Sequence, residues 1–376
     1  MTSAAQAELR VTAGHILALR LFDIAYAIDL GRAEALWARH AAGRAARTRL
    51  SATAPKAMEF GVPPLTIELG PVTLVLDDIP LTVVVTARLY EFGALTLALR
   101  VPASGLGWAG FASRLNAVDE AVGMGSPATI WEENLAGLRL VLAEALIRPS
   151  PSTLAEDYLM GVVTAFDARP LASELLARLD LVPLLSGEQR CLSDAARAEL
   201  LRSRFSYYED DLVVLTWDRA FIYEPRGDSD VVDVLEVANA QLLEMRYYNE
   251  LLDDELPRMY DLVETARGGL NVLAARRYAG LARRLYTLVA EVTELTEKVD
   301  NALQVTEDVY LARIYAAALD LFRVKLVSAA VNRKLAIIRD TYAALYDEAS
   351  SSRSELMEMA IILLIVVEVV LAVTHY

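Results

Sequence analysis

The sequence predicts an α+β protein. A mixed α/β head of ferredoxin-like character leads into a long antiparallel helical or coiled-coil stalk and a C-terminal hydrophobic helix. Three observations carry that expectation. Up to Gly227, short runs rich in Val, Leu, Ile and Thr, punctuated by Gly, Pro and Asp, alternate with helix-period stretches. Beyond Gly227, strand signals thin out and apolar residues recur at three- and four-residue intervals. The chain then closes on MAIILLIVVEVVLAV, Met359–Val373. The expected domains are 1–227 for the head, 228–353 for the stalk and 354–376 for a transmembrane helix.

The elements follow in order. HILALRLF, His15–Phe22, reads as a strand and Leu30–His40 as a short helix. An arginine cluster comes next, Arg39, Arg44, Arg47 and Arg49, of which Arg44, Arg47 and Arg49 are the candidate contacts. It reads either as a solvated helix end or as a contact for phosphate on RNA or lipid head groups. From Pro64 to Pro102 the chain is strand-like, broken by Gly70-Pro71, Asp77-Asp78 and Gly93, and Leu81–Pro102 reads as a hairpin turning near Glu91–Gly93. Helices are expected over Trp108–Val122 and Thr129–Ile147. The sequence of events then recurs: a strand at Tyr158–Phe166, helices at Leu171–Leu179 and Ser193–Ser203, and a hairpin over Asp211–Pro225 turning near Asp218-Arg219. That recurrence is read as an internal duplication of a ferredoxin-like unit.

Two stripes mark the helical region: Leu235, Ala238, Leu242, Met245 and Tyr248, then Leu311, Ile314, Ala318, Phe322, Leu326 and Ala330. Pro257 and Gly268-Gly269 are expected to divide it into two or three long helices. A helical bundle packing on itself and a homo-oligomeric coiled coil both fit.

Composition narrows the function classes. At 376 residues the chain accommodates two domains, or one domain with a helical appendage. Hydrophobic residues make up 55% and mean hydropathy is +0.32, yet 23% of residues are charged, which excludes a polytopic membrane protein. The net charge of −15 argues against a general nucleic-acid binder. One cysteine, Cys191, excludes an intrachain disulfide framework and is expected to be a small, buried or semi-buried hydrophobe. His15, His40 and His375 are too scattered for a metal motif. No phosphate loop, GxSxG or HExxH occurs, so no catalytic, cofactor-binding or metal residue is assigned and no cofactor is expected. The N-terminus lacks the pattern of a secretory signal, so the bulk of the chain is expected in the cytoplasm.

The C-terminal run is the most distinctive segment. From Leu356 to Val373 a helix rises about 27 Å, near the lower limit for spanning hydrocarbon. Ile361, Leu364, Val367 and Leu371 are its apolar members, and Glu368 interrupts it. A carboxylate at that depth costs about 2–3 kcal/mol on insertion scales. Facing a neighbouring helix, Glu368 would favour self-association. The competing reading packs the helix within a soluble oligomer or folds it back as a core helix.

The hairpin LVVLTWDRAFIYEP leads into VLEVANAQLLEMRYYNELLDDEL; KLAIIRDTYAALYDEASSSRSELMEM and IILLIVVEVVLAV follow, and RLYEFGALTLALR precedes them all. In these motifs, from Arg88 to the end, the chain resembles the family named for its eukaryotic "required for meiotic nuclear division" members. That resemblance implies a membrane-associated protein with a C-terminal coiled coil and a terminal hydrophobic helix. A mitochondrial relative is linked to tethering the translation machinery at the inner membrane. The resemblance supplies no catalytic residues.

The functional expectation is a non-enzymatic, membrane-anchored scaffold that self-associates through its helices and binds an unidentified protein partner with its head. A soluble homo-oligomeric regulatory module is the alternative. An enzyme would require a polar pocket in the head where carboxylates and arginines converge.

Overall fold

A computed structural model describes residues 9–40, 45–47, 62–127, 129–188, 190–227, 230–267 and 309–341, with isolated positions between 280 and 293 and between 343 and 365. It divides into two compact units. The first comprises Met1–Glu244 with Lys298–Lys325, the second Met245–Glu297 with Leu326–Tyr376.

The first unit is α+β. Strand β1 (Arg10–Asp23) runs into β2 (Ala25–Ile28) and helix α1 (Leu30–His40). Then come β3 (Ala45–Arg47), β4 (Leu65–Leu76), β5 (Ile79–Leu89), β6 (Ala94–Pro102) and β7 (Leu106–Gly107). Helices α2 (Trp108–Val122) and α3 (Ile130–Val141) precede β8 (Leu146–Pro149) and β9 (Ala155–Phe166). Three short helices follow, α4 (Ala172–Arg178), α5 (Val182–Ser186) and α6 (Asp194–Leu200). Strands β10 (Arg204–Phe205), β11 (Leu212–Leu215) and β12 (Arg219–Tyr223) lead into the long helix α7 (Val231–Arg267).

Ten of these strands form one sheet in the order β10-β11-β12-β9-β1-β6-β5-β4-β3, with β7 on β1; β2 and β8 pair separately. Each half of the head does run strand, helix, hairpin, but the halves close differently. The last strand of the first hairpin, β6, returns antiparallel to β1, whereas β12 lies parallel to β9. Two ferredoxin-like units would close alike, so this strand order departs from that expectation. The physical cause is the number of reversals: β4, β5 and β6 form a three-stranded meander, while α4 to α6 carry the chain back across one face before β11 and β12 form.

Turn chemistry sets the registers. Asp77 and Asp78 sit at φ of 49° and 62°, the left-handed pair of a two-residue hairpin loop, and Leu76 pairs Ile79 across it. Gly70-Pro71 is not a turn: it is a bulge inside β4, where the register shifts between Glu68 and Gly70. Gly93, at φ 106°, closes the β5–β6 turn, and a Cβ there would collide with the Ala25 carbonyl oxygen.

Alternation gives the sheet two unlike faces. Ile16 and Ala18 on β1, Val85, Ala87 and Leu89 on β5, and Leu95, Leu97, Leu99 and Val101 on β6 point into one core with Phe111, Leu115 and Val118 of α2. Gly161 of β9 lets α2 approach closely, since an added Cβ would stand 3.1 Å from Phe111 and 3.0 Å from Leu115. The opposite face carries Leu19, Leu21, Tyr158, Met160 and Ile222, all buried, while Val234, Leu235 and Ala238 at the start of α7 are buried too. Helix Val309–Leu321 adds Tyr310 against Tyr207 and is followed by Phe322 against Tyr158, with ring centroids 5.3 Å apart in both pairs.

The helical stripes hold in part. Leu235, Ala238, Leu242, Met245 and Tyr248 are all buried, and α7 runs through Pro257 without ending there. In the second stripe Leu311, Ile314, Ala318 and Phe322 are buried but Leu326 is exposed. Arg323 adopts φ 58° and breaks the helix, which resets the buried face to Val331, Leu335 and Ile338. Within the second unit, Lys334 Nζ donates to Asn249 Oδ1 at 2.7 Å and pairs Asp253 at 2.6 Å, tying two helical segments side by side. Helix α3 stops at Val141, short of the expected Ile147, because Leu146–Pro149 pairs as β8 with β2.

Among the described residues, no helix is long and apolar enough to cross a membrane. Most of the terminal run, including Val367, Glu368 and Leu371, lies outside the described residues, as do Arg44 and Arg49 and the side chain of Arg47.

Candidate functional site

The second face of the sheet becomes polar toward one end. Strand alternation there lines up Thr66 and Glu68 on β4, Thr86 and Arg88 on β5, and Thr96 and Arg100 on β6. His15 on β1, Thr164 on β9 and Glu224 just past β12 continue the row. Asp233 and Glu236, three residues apart on the first turns of α7, face this row from the helix. Together these side chains line a cavity of about 570 Å³ floored by Leu17, Val84, Val162 and Ile222.

At the helix end, Arg88 Nη1 donates to Asp233 Oδ1 at 2.6 Å and to Glu236 Oε2 at 2.8 Å. The Tyr90 hydroxyl donates to Glu236 Oε1 at 2.8 Å. The Arg88 side chain is 17% exposed and that of Glu236 5%. One guanidinium thus meets two carboxylates, and the cluster holds one negative charge in surplus when all three ionise. Burial pushes Glu236 above the usual carboxylate range, with Arg88 opposing. Burial works to lower Arg88, but Glu236 and Asp233 outweigh it and hold the guanidinium well above its ordinary value. Carboxylates on the first turns of a helix also complement its dipole.

The other end of the cavity is different. Across the register Arg100 stands between Val84 of β5 and Leu17 of β1, with His15 one step along β1. Neither Arg100 nor His15 has a hydrogen bond or ion pair among the described residues. Burial lowers Arg100. Burial first, and then the Arg100 charge, depress His15 from 6.5 to about 4, so its imidazole is neutral at pH 7. No hydroxyl of the cavity is hydrogen-bonded to His15 among the described residues, so no paired nucleophile and base is formed.

Two further buried polar groups serve packing. Arg219, 5% exposed, donates to Asp119 at 2.5 Å, Asn116 at 2.6 Å and the Leu184 carbonyl at 2.9 Å, which ties β12 to α2 and α5. Asp23, 2% exposed, is raised by burial to about 6 against the pull of Ser150 and Arg139. A second cavity of about 630 Å³ lies beside Leu200, Leu215 and Trp217, and it is mostly apolar. Cys191, expected to be buried or semi-buried, is exposed, in the loop before α6. No group of three or more potential ligands that could hold a metal ion is present among the described residues.

Sequence reasoning assigned none of the cavity residues. The available signal was the alternation of ALTLALR, whose even positions, Thr96, Ala98 and Arg100, mark a second face that is not uniformly apolar.

A family model described as "Uncharacterized protein MJ0711, N-terminal domain" matches residues 13–230, which takes in the sheet from Ala13 of β1 through β12. The chain belongs to this family. A relative from Methanocaldococcus jannaschii, "Uncharacterized protein MJ0711", is 25% identical over 193 residues, or 51% of this chain and 58% of the relative. The chain therefore spans little more than half the length of the curated relative it matches. No solved structure matches. The family match covers every sheet residue of the cavity, whereas Val232, Asp233 and Glu236 of α7 are contributed from outside it.

Proposed function

We propose that this protein is a scaffold held at a membrane by its C-terminal helix, self-associating through its helical region and presenting the sheet unit to a protein partner. The observation that carries this reading is the terminal apolar run. Ile361, Ile362, Leu364 and Ile365 are 53%, 60%, 67% and 54% exposed. At 100° per residue they spread over about 160° of a helix, wider than the contact stripe of a surface helix. Such a surface calls for lipid or for other helices. The resemblance to the meiotic-nuclear-division family, read from the same C-terminal motifs, supports the same assignment, and a coiled-coil stalk between sheet and tail belongs to this proposal.

A second reading has its own support. Glu368 within the apolar run favours a helix buried against copies of itself in a soluble oligomer. An enzymatic head has the polar cavity it requires, but among the described residues that cavity holds no paired nucleophile and base, so the scaffold reading stands ahead of it. The test is fractionation of the full-length chain beside a version ending at Ser354, with carbonate and detergent extraction. Full-length protein that resists carbonate and yields to detergent, with the shortened version released, supports the anchor. Both versions soluble, with the full-length form a discrete larger particle, overturns it in favour of the oligomer.

A further inference from the structure

Arg100 is an exposed cation lining the cavity between Leu17 and Val84, with no hydrogen bond or ion pair among the described residues. The acids of the cavity do not reach it in the sheet. Glu68 lies on β4, two strands away, and Glu224 follows β12, three strands away. At about 4.8 Å per strand these separations are near 10 and 14 Å. Asp233 and Glu236 are engaged by Arg88. With no internal partner, the Arg100 donors are free to meet a ligand in the cavity.

We propose that the Arg100–His15 end of this cavity binds a small oxyanion, the phosphate or carboxylate group of a soluble ligand. The guanidinium offers a planar pair of donors matched to two oxygens. His15 adds a neutral imidazole N–H beside it, and Thr86 a hydroxyl one strand over. A cavity of about 570 Å³ is large enough to hold the rest of a small metabolite against Val162 and Ile222. The site does not depend on how the tail is used, since every lining residue belongs to the first unit.

His15 reports occupancy. It is held near pH 4 by burial and by Arg100, so an oxyanion seated on Arg100 cancels part of that repulsion and raises the midpoint. The charged groups facing the cavity are Glu68 on β4, Arg88 on β5, Arg100 on β6, Glu224 after β12, and Asp233 and Glu236 on α7. The probe is the full-length chain with isotope-labelled histidine, observed by NMR while inorganic phosphate, or separately acetate, replaces chloride at constant ionic strength. The expected result is a saturable shift of the His15 signal with His40 unmoved, and a titration midpoint raised by about one unit or more. Arg100→Ala raises the His15 midpoint without any anion and abolishes the anion-dependent shift. Arg100→Lys keeps the shift but weakens binding about tenfold. A stronger response to one anion identifies which oxyanion is preferred. A His15 signal unmoved by either anion, or moved equally in Arg100→Ala, overturns the proposal; circular dichroism of the variants confirms that both remain folded.

Discussion

Arg88 and Arg100 stand on neighbouring strands, project from the same face of one sheet and line the same cavity, yet they are treated oppositely. Arg88 meets two carboxylates, one of which also accepts from a tyrosine; Arg100 meets Val84, Leu17 and a neutral histidine. The difference teaches that the cavity has a closed end and an open one. At the closed end, charge fastens α7 to the sheet. At the open end, charge is left available.

The largest effect should come from breaking the closed end. Arg88→Ala strands Asp233 and Glu236 together without a cation and should cost about 3–5 kcal/mol of stability in urea unfolding. A loss under about 1 kcal/mol would mean the cluster is wetter than its burial indicates. Tyr90→Phe removes one hydrogen bond to a charged acceptor at a buried site, and a loss of about 1.5–3 kcal/mol is expected in the same assay. Glu236→Gln is the more discriminating change. Because burial raises the folded-state pKa of Glu236 above 4.5, wild-type stability falls as pH rises through that elevated range. The glutamine variant lacks this fall and keeps Arg88 paired one-to-one with Asp233. It should therefore match wild type within about 1 kcal/mol at neutral pH, and the two should differ in the slope of stability against pH. A large loss at pH 7 with parallel slopes would show that both carboxylates are needed as charges. The smallest effect belongs to Arg100→Ala, at about 0.5 kcal/mol or less in either direction, since it breaks no internal bond.

Much of this architecture could be read beforehand, for physical reasons that differ by element. Helices Leu30–His40 and Trp108–Val122 were legible to the residue because each carries an apolar stripe, with Trp37 on one and Phe111, Leu115 and Val118 on the other. The β5–β6 hairpin was legible because Gly93 punctuates the strand run where the backbone takes φ 106° and leaves no room for a Cβ. The continuation of α7 through Pro257 was not, since packing of Leu252 and Met259 outweighs the lost backbone bond. Nor was the break at Arg323, where a non-glycine residue takes a left-handed conformation with no local signal. The cavity escaped notice because its members come from residue 15 to residue 236, and only strand order brings them together. Alternation says which face a residue occupies; it does not say which strands are neighbours.

Strand β1 sits in the middle of the sheet, between β6 and β9. It is the first strand of the fold, and its second neighbour ends only at Phe166. During synthesis, one edge of an apolar fourteen-residue strand must wait for more than a hundred further residues before it is paired. High sequence separation of this kind slows folding and leaves a sticky edge exposed on the nascent chain. The nascent chain is therefore open to misassembly between the moment the β4–β6 meander has formed on one side of β1 and the moment β9 leaves the ribosome.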